Sequence, residues 1–293
     1  MYNPLSGKGK IEANLPAILG IMSGAGYEVT AHTTRRRDDA YEFIKAYGNE
    51  FDRIVVSGGD GTLNESVRGI LDGRINSPIG YIPAGTTNDF AHSFEIPRDM
   101  EEAAKVAAYG MEYPCDVGLM NGQPFIYVSC FGTLSDISYV TSQRTKSIMG
   151  HGAYVFEGFK RYHGLDSIHV RVESAELVAD DIFCYGMIGN SRYTAGVKLN
   201  YAKDVKLNDG RFEVTLIKKP KNLLQFMATF FEFLNVMKTK KQIYKFTTSK
   251  ITLCFDEPEK WTRDGEFGGE NMAVTIEVLK TPIRILVPQD AKI

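Results

Sequence analysis

Three carboxylates stand at the ends of apparent strands, where side chains of this kind could do chemistry. Asp60 lies in Gly58-Gly59-Asp60-Gly61-Thr62, Asp89 in Thr86-Thr87-Asn88-Asp89 and Asp116 in Cys115-Asp116-Val117-Gly118. Carboxylate oxygens are hard ligands suited to Mg²⁺, and a free carboxylate can take a proton. Glycines around Asp60 allow positive φ and let a ligand approach the main chain. Before them, Ile54 to Val56 is an apolar run too short for a helix and reads as a buried parallel strand. After them, Leu63, Val67, Ile70 and Leu71 form one apolar helical face. Thr62 and Glu65 have the spacing of a capping box at that helix's start. Strand, glycine turn and helix N-terminus together make an anion site of free N–H groups and positive dipole. A second strand, Ile79 to Ile82, runs into the small, polar loop Pro83 to Asp89. Loops at the carboxyl ends of two neighbouring strands face one crevice in open α/β sheets.

GGDGTLNE followed at this distance by PAGTTNDFA resembles the catalytic domain of diacylglycerol kinases and their bacterial soluble lipid-kinase relatives. GGDGT alone is shared with NAD kinases and 6-phosphofructokinases; the PxGTxNDFA continuation is more specific to the lipid-kinase branch. The resemblance implies ATP and Mg²⁺ as cofactors, with Asp60, Asp89 and Asp116 in a magnesium–water network. It implies a nucleotide pocket lined by Asn3, Pro4, Leu5, Ser6 and Gly7 of an NPxSG stretch, and by Thr34. Gly58, Gly59, Asp60, Gly61, Thr62, Leu63, Asn64 and Glu65 of the second loop, with Gly85, Thr86 and Asn88 of the third, complete that pocket. It makes Glu266 the general base of a late DGE segment, with Asp60 and Asp264 as its catalytic neighbours. Lys206-Leu207-Asn208-Asp209-Gly210-Arg211 matches a segment that binds a second, structural Mg²⁺ through the Asp209 carboxylate and the carbonyls of Lys206 and Arg211. Read from its residues alone, the same segment is an Asn-Asp-Gly turn, and Asp264-Gly265 is a hairpin signal.

The elements that must position these groups follow in order. Almost nothing precedes Asn3, so the strand expected before its loop is missing or shortened. SGKGK lacks the GxxxxGK[ST] pattern of a P-loop. Ile11 to Gly24 is helical by period, with Pro16 expected to delay or kink it. Tyr27 to Thr34 alternates and reads as a strand. Arg35, Arg36 and Arg37 follow as a basic cluster, either a solvated loop or a contact for phosphate or an anionic headgroup. Further helices are expected around Ala40 to Tyr47 and Met100 to Tyr109. Strand and helix thus alternate through residues 1–115, the pattern of an α/β domain with a doubly wound parallel sheet; the resemblance makes it NAD kinase/diacylglycerol kinase-like.

From Cys115 short β-rich runs take over: Pro124 to Val128, Ser167 to Val172, Ile182 to Ile188, Arg211 to Ile217, Ile251 to Phe255 and Ala273 to Leu279. They predict a β-rich, sandwich-like second domain over 116–283 for the acceptor, with residues 284–293 returning to pack on the first. Two helices are expected within it, Gly150 to Tyr162 and Asn222 to Lys241. The second has a wide apolar face followed by Lys238, Lys240 and Lys241, which suits packing on protein or approach to a bilayer.

Composition narrows the classes. With 43% hydrophobic and 24% charged residues, the 293-residue chain is ordinary for a globular protein. A net charge of −2 and the lack of any recognition motif argue against nucleic acid as a partner. Cys115, Cys130, Cys184 and Cys254 are far apart, as in reduced, mostly buried thiols of a cytoplasmic protein. No apolar run approaches the ~18 residues of a transmembrane segment. A diacylglycerol kinase giving phosphatidic acid is therefore expected to touch its lipid substrate transiently at the membrane surface, and a homodimer stays open. The segment Phe131 to Asp136 departs from the glycine–phenylalanine–aspartate pattern of many relatives, which leaves other acceptors, such as a sphingoid base, in play. NAD kinase would carry an asparagine–glutamate pair where Cys115 to Gly118 stands. A silent nucleotide- or lipid-binding scaffold would have no need of Asp60, Asp89 and Glu266.

Overall fold

The computed structural model describes residues 1–132, 165–194, 197–198, 205–233, 242–279 and 283–293. The expected helix Gly150 to Tyr162 lies outside them, as do the lysines after the second apolar helix. Two layers of different texture hold the site between them.

The first is a four-stranded sheet in the order β1 (Ile54–Gly58), β2 (Ile79–Pro83), β15 (Ile283–Val287) and β3 (Met111–Cys115). The first three strands are parallel and β3 is antiparallel to β15. Helices cover both faces: α1 (Lys10–Gly24) and α5 (Met100–Tyr109) pack together on one, α2 (Asp39–Tyr47) and α3 (Asp60–Gly73) on the other. That two-sided cover explains why every residue of β2 is buried. On α3, Leu63, Val67 and Ile70 meet the sheet as their spacing predicts. Alanines 103, 104, 107 and 108 give α5 a flat face that sits close on β2. Helix α1 starts at Lys10 and runs through Pro16, so the proline does not delay it.

Tyr27 to Thr34 is not a strand. Its one ladder contact is a bridge from Thr33 to Tyr2, which also bridges Ser57. The hydrogen bonds run from Tyr2 N–H to His32 O and from Thr34 N–H to Tyr2 O, both at 2.9 Å. Alternation supplies the side-chain pattern of a strand, but pairing needs a neighbour, and only Tyr2 lies alongside.

The second layer is a nine-stranded antiparallel sheet. Its path runs β12 (Ile243–Thr248), β11 (Phe212–Lys218), β8 (Val178–Gly189), β6 (Val128–Gly132), β13 (Lys250–Arg263), β14 (Glu266–Val278), β4 (Gly118–Met120) and β5 (Gln123–Phe125). β7 (Ile168–Ser174) joins β8 to β13 at the end away from β6. The sheet curls on itself, because Phe125 of β5 packs on Phe212 of β11 with ring centroids 5.4 Å apart. Trp261, Phe131 and Phe255 fill the resulting core, Trp261 being 0% exposed. A two-stranded pair, β9 (Tyr193–Thr194) and β10 (Val197–Lys198), stands apart. The apolar helix is α6 (Leu223–Phe233); Phe226 packs on buried residues while Leu224 is exposed. No helix among the described residues is long and apolar enough to cross a membrane.

Candidate active site

Three loops meet at the carboxyl ends of β1 and β2. In the first, Asn3 N–H reaches Ser57 O at 2.9 Å, and the Asn3 side chain accepts from Leu5 N–H at 3.0 Å. Gly7 has φ +60°, and a Cβ there would stand 2.4 Å from Ala84 O, so only glycine lets this loop touch the third. In the second loop, Gly59 is extended and Asp60 is already the first helical residue of α3. Thr62 and Glu65 are therefore inside the helix, and the expected capping box does not form. Thr62 Oγ1 instead accepts from Asn3 Nδ2 at 3.3 Å, and Glu65 turns to the backbone at Asp38 and Ala40, where α2 begins. No side chain caps α3. In the third loop Asn88 is left-handed at φ 52° and brackets Gly85, accepting from its N–H at 2.9 Å and donating to its carbonyl at 2.8 Å. The Asn88 amide therefore shapes the loop. A Cβ on Gly85 would lie 2.8 Å from Gly59 Cα, so the second and third loops touch. Thr34 reaches the same sheet edge through its bond to Tyr2, and Thr86 is exposed at the rim.

Asp60 is the buried acid at the start of α3. Its Oδ1 is buried with no hydrogen-bond partner. Burial, with Asp89 and Asp264 nearby, pushes its carboxyl up to about 7, and the backbone N–H groups of Asp89 and Phe90 offset part of this. Burial holds the phenols of Tyr81 and Tyr127 well above their ordinary range, with Asp60 adding to it. A hard, buried, partnerless oxygen beside a second aspartate fits a small divalent cation. Asp60 and Asp89 therefore form one acidic locus.

Asp116 follows β3, whose end at Cys115 pairs with Ile283, where β15 starts. Asp116 Oδ2 accepts from Gly210 N–H at 2.7 Å, and Asp209 stands near enough to help burial raise its pKa. Asn190 Nδ2 clamps the carbonyls of Asp116 and Leu207 at 3.3 and 3.0 Å. Asp209 Oδ1 accepts from Arg211 N–H at 3.0 Å, as in an Asx turn. Lys206 is exposed. Among the described residues no group of three or more His, Cys, Asp or Glu side chains is arranged to hold a metal ion.

The fourth part arrives from the second layer. β13 and β14 form a hairpin whose turn residues Asp264 and Gly265 both have positive φ, 49° and 80°, the geometry that Asp-Gly favours. Asp264 is buried, unlike an ordinary turn acid. It accepts from Ile126, Tyr127 and Val128 N–H at 2.8, 3.0 and 3.1 Å, and from Asn64 Nδ2 at 2.6 Å. Burial still raises its pKa against those bonds. Asp264 thus ties hairpin, β5–β6 turn and α3 together, and sets Glu266 over the start of α3. Glu266 Oε2 accepts from Arg37 Nη2 at 2.8 Å, while Oε1 lies 3.3 Å from where a Cβ on Gly61 would stand. The basic cluster divides: Arg36 pairs with Glu42 and Arg37 with Glu266. Arg37, Asn190 and Tyr127 were missed as site residues, because each acts through a partner far away in the chain.

Residues 1–120 match the family model described as the diacylglycerol kinase catalytic domain. A diacylglycerol kinase of Staphylococcus carnosus is 32% identical over 295 residues, covering 100% of this chain and 95% of that protein. One of Bacillus subtilis is 34% identical, covering 92% and 89%. A crystal structure of a Bacillus anthracis diacylglycerol kinase superposes with a TM-score of 0.77 at 23% identity, covering 98% and 94%. An NAD kinase from Archaeoglobus fulgidus, solved with ATP, shares the fold at a TM-score of 0.51 and 13% identity, covering 97% and 91%. With a matching family model, full-length relatives above 30% identity and the same two-layer fold, the chain belongs to the diacylglycerol kinase family of phosphotransferases.

Proposed function

We propose that this chain is an ATP- and Mg²⁺-dependent lipid kinase that phosphorylates the hydroxyl of diacylglycerol to give phosphatidic acid. The observation that carries this reading is the placement of Glu266 over the first turn of α3, beside the Asp60–Asp89 locus. In this reading ATP is bound by residues 1–115 through the loops Asn3–Gly7, Gly58–Glu65 and Gly85–Asn88, with Thr34 at their edge. The uncapped N-terminus of α3 faces the phosphates. Residues 116–283 take the acceptor, and 284–293 return to the first sheet.

Asp60 and Asp89 would hold Mg²⁺, which when bound neutralises phosphate charge during transfer. The acceptor oxygen bonds to the γ-phosphorus as the bridging P–O bond breaks and ADP leaves. Glu266 takes the hydroxyl proton at Oε1, its Oε2 being engaged by Arg37. Asp264, with its four donors, positions the hairpin that carries Glu266. At the Asp116 corner, two like charges face each other in Asp116 and Asp209. A second cation on the Asp209 carboxylate and the carbonyls of Lys206 and Arg211 would offset that repulsion. The protein would work in the cytoplasm and meet its substrate transiently at the membrane surface.

The test is transfer of labelled γ-phosphate from ATP to diacylglycerol, ceramide, sphingosine, phosphatidylglycerol and NAD in parallel. Product on diacylglycerol, lost in Asp60→Ala and Glu266→Ala, is the expected result. Transfer to another acceptor with the same losses would replace the substrate. No transfer from folded protein that still binds ATP would leave a silent scaffold.

A further inference from the structure

Three arginines gather where the hairpin meets α3, and two are committed. Arg37 pairs with Glu266 at 2.8 Å. Arg68 pairs with Asp38 at 2.8 Å and lies over the Tyr41 ring. Arg263 differs. It ends β13, stands directly across the turn from Glu266, and is half-buried. Among the described residues its guanidinium makes no hydrogen bond and no ion pair. The acids nearest to it are Asp264, already held by four donors, and Glu266, already held by Arg37.

A guanidinium withdrawn from water usually has a partner, because its planar fork of donors is built for carboxylate or phosphate. Here the local carboxylates are taken. We propose that Arg263 is a catalytic residue that binds the phosphoryl group in transit between nucleotide and acceptor. The inference rests on the kinase reading above. Its forked N–H groups would grip non-bridging oxygens as the bond to ADP breaks and the bond to the acceptor oxygen forms, with the acceptor proton going to Glu266. Burial, with Arg68 close by, lowers its pKa, so an incoming anion relieves an existing electrostatic cost. The same grip would hold the phosphate monoester of the lipid product after transfer.

The test compares unaltered protein with Arg263→Gln, Arg263→Lys and the exposed control Lys250→Gln. Because Arg263 has no partner to lose, all should unfold at the same midpoint. With ATP and a short-chain diacylglycerol, Arg263→Gln should lower kcat by about 10²–10³-fold, the range for losing a donor to transition-state charge. KM should stay within about threefold, and lysine should restore about tenfold. Product inhibition by a short-chain phosphatidate should weaken in Arg263→Gln if the product phosphate shares the grip; a raised ATP KM with kcat unchanged would overturn the proposal. A second arm titrates inorganic phosphate by ³¹P NMR and needs no lipid. If no lipid is phosphorylated but phosphate binding still depends on Arg263, the substrate reading fails and the inference stands. If Arg263→Gln matches unaltered protein in both arms, Arg263 has no such role.

Discussion

Asp60→Asn is expected to stabilise the metal-free protein by an amount that grows with pH, while abolishing its activity. The Asp60 carboxyl titrates near 7 in the fold against 3.8 as its ordinary value. A raised folded value means that the folded state prefers the neutral form. Below about pH 3.8 both states hold the proton, and Asp60 imposes no pH-linked penalty. The penalty grows as pH rises through the window from 3.8 to about 7, then levels off. At about 1.36 kcal/mol per pH unit the full effect is about 4 kcal/mol, of which about 2.5 accrues between pH 5 and pH 8. Water reaches part of this residue, so about 1.5–2.5 kcal/mol is expected over that interval. Asparagine keeps the shape and cannot ionise. Urea unfolding of both proteins in EDTA, from about pH 5 to about pH 8, measures the difference directly. A difference that stays flat across the window would refute the argument, because its source is the ionisation of an Asp60 buried beside Asp89 and Asp264. Adding Mg²⁺ near pH 8 should narrow the gap by stabilising only the unaltered protein.

Other substitutions probe the scaffold around that locus. Asp264→Ala strands three buried backbone N–H groups and should cost about 3–4 kcal/mol of stability, read by chemical denaturation. Gly7→Ala would put a methyl against Ala84 O in a left-handed residue. It should raise the ATP KM at least ~10-fold and cost about 1–3 kcal/mol of stability. On the far side, His169 sits between Asp256 at 2.7 Å and Asp180 at 2.6 Å. The hydrogen bond to Asp256 is the main cause of its raised pKa. That stabilisation is complete below the ordinary histidine value and lost as pH rises through the folded one. His169→Gln should therefore lower the thermal midpoint near pH 5.5 and leave it unchanged near pH 9.

What the sequence made legible was what neighbours in sequence decide. The 3.6-residue spacing of Leu63, Val67 and Ile70 is a local fact, and it put α3 on the sheet. Asp264-Gly265 needed only its own backbone preferences to make the hairpin turn. Thr62 and Glu65 show the limit of such reasoning. Their capping-box spacing is real, but the helix starts at Asp60, because Gly59 is the last extended residue. Contacts across 200 residues were out of reach. Nothing near Asn64 foretells Asp264, and nothing near Arg37 foretells Glu266. Asp116 shows why the gap is physical. Following an apparent strand, it looks equivalent to Asp60 and Asp89, yet what surrounds it comes from later in the chain. β3 pairs with β15, a strand some 170 residues later. Asp116 finds Gly210 and Asp209 beside its carboxylate, and its carbonyl is held by Asn190, whose own N–H reaches Tyr127 O at 2.9 Å. The acid's surroundings are thus decided by contacts 74 and 94 positions away that its own segment does not encode.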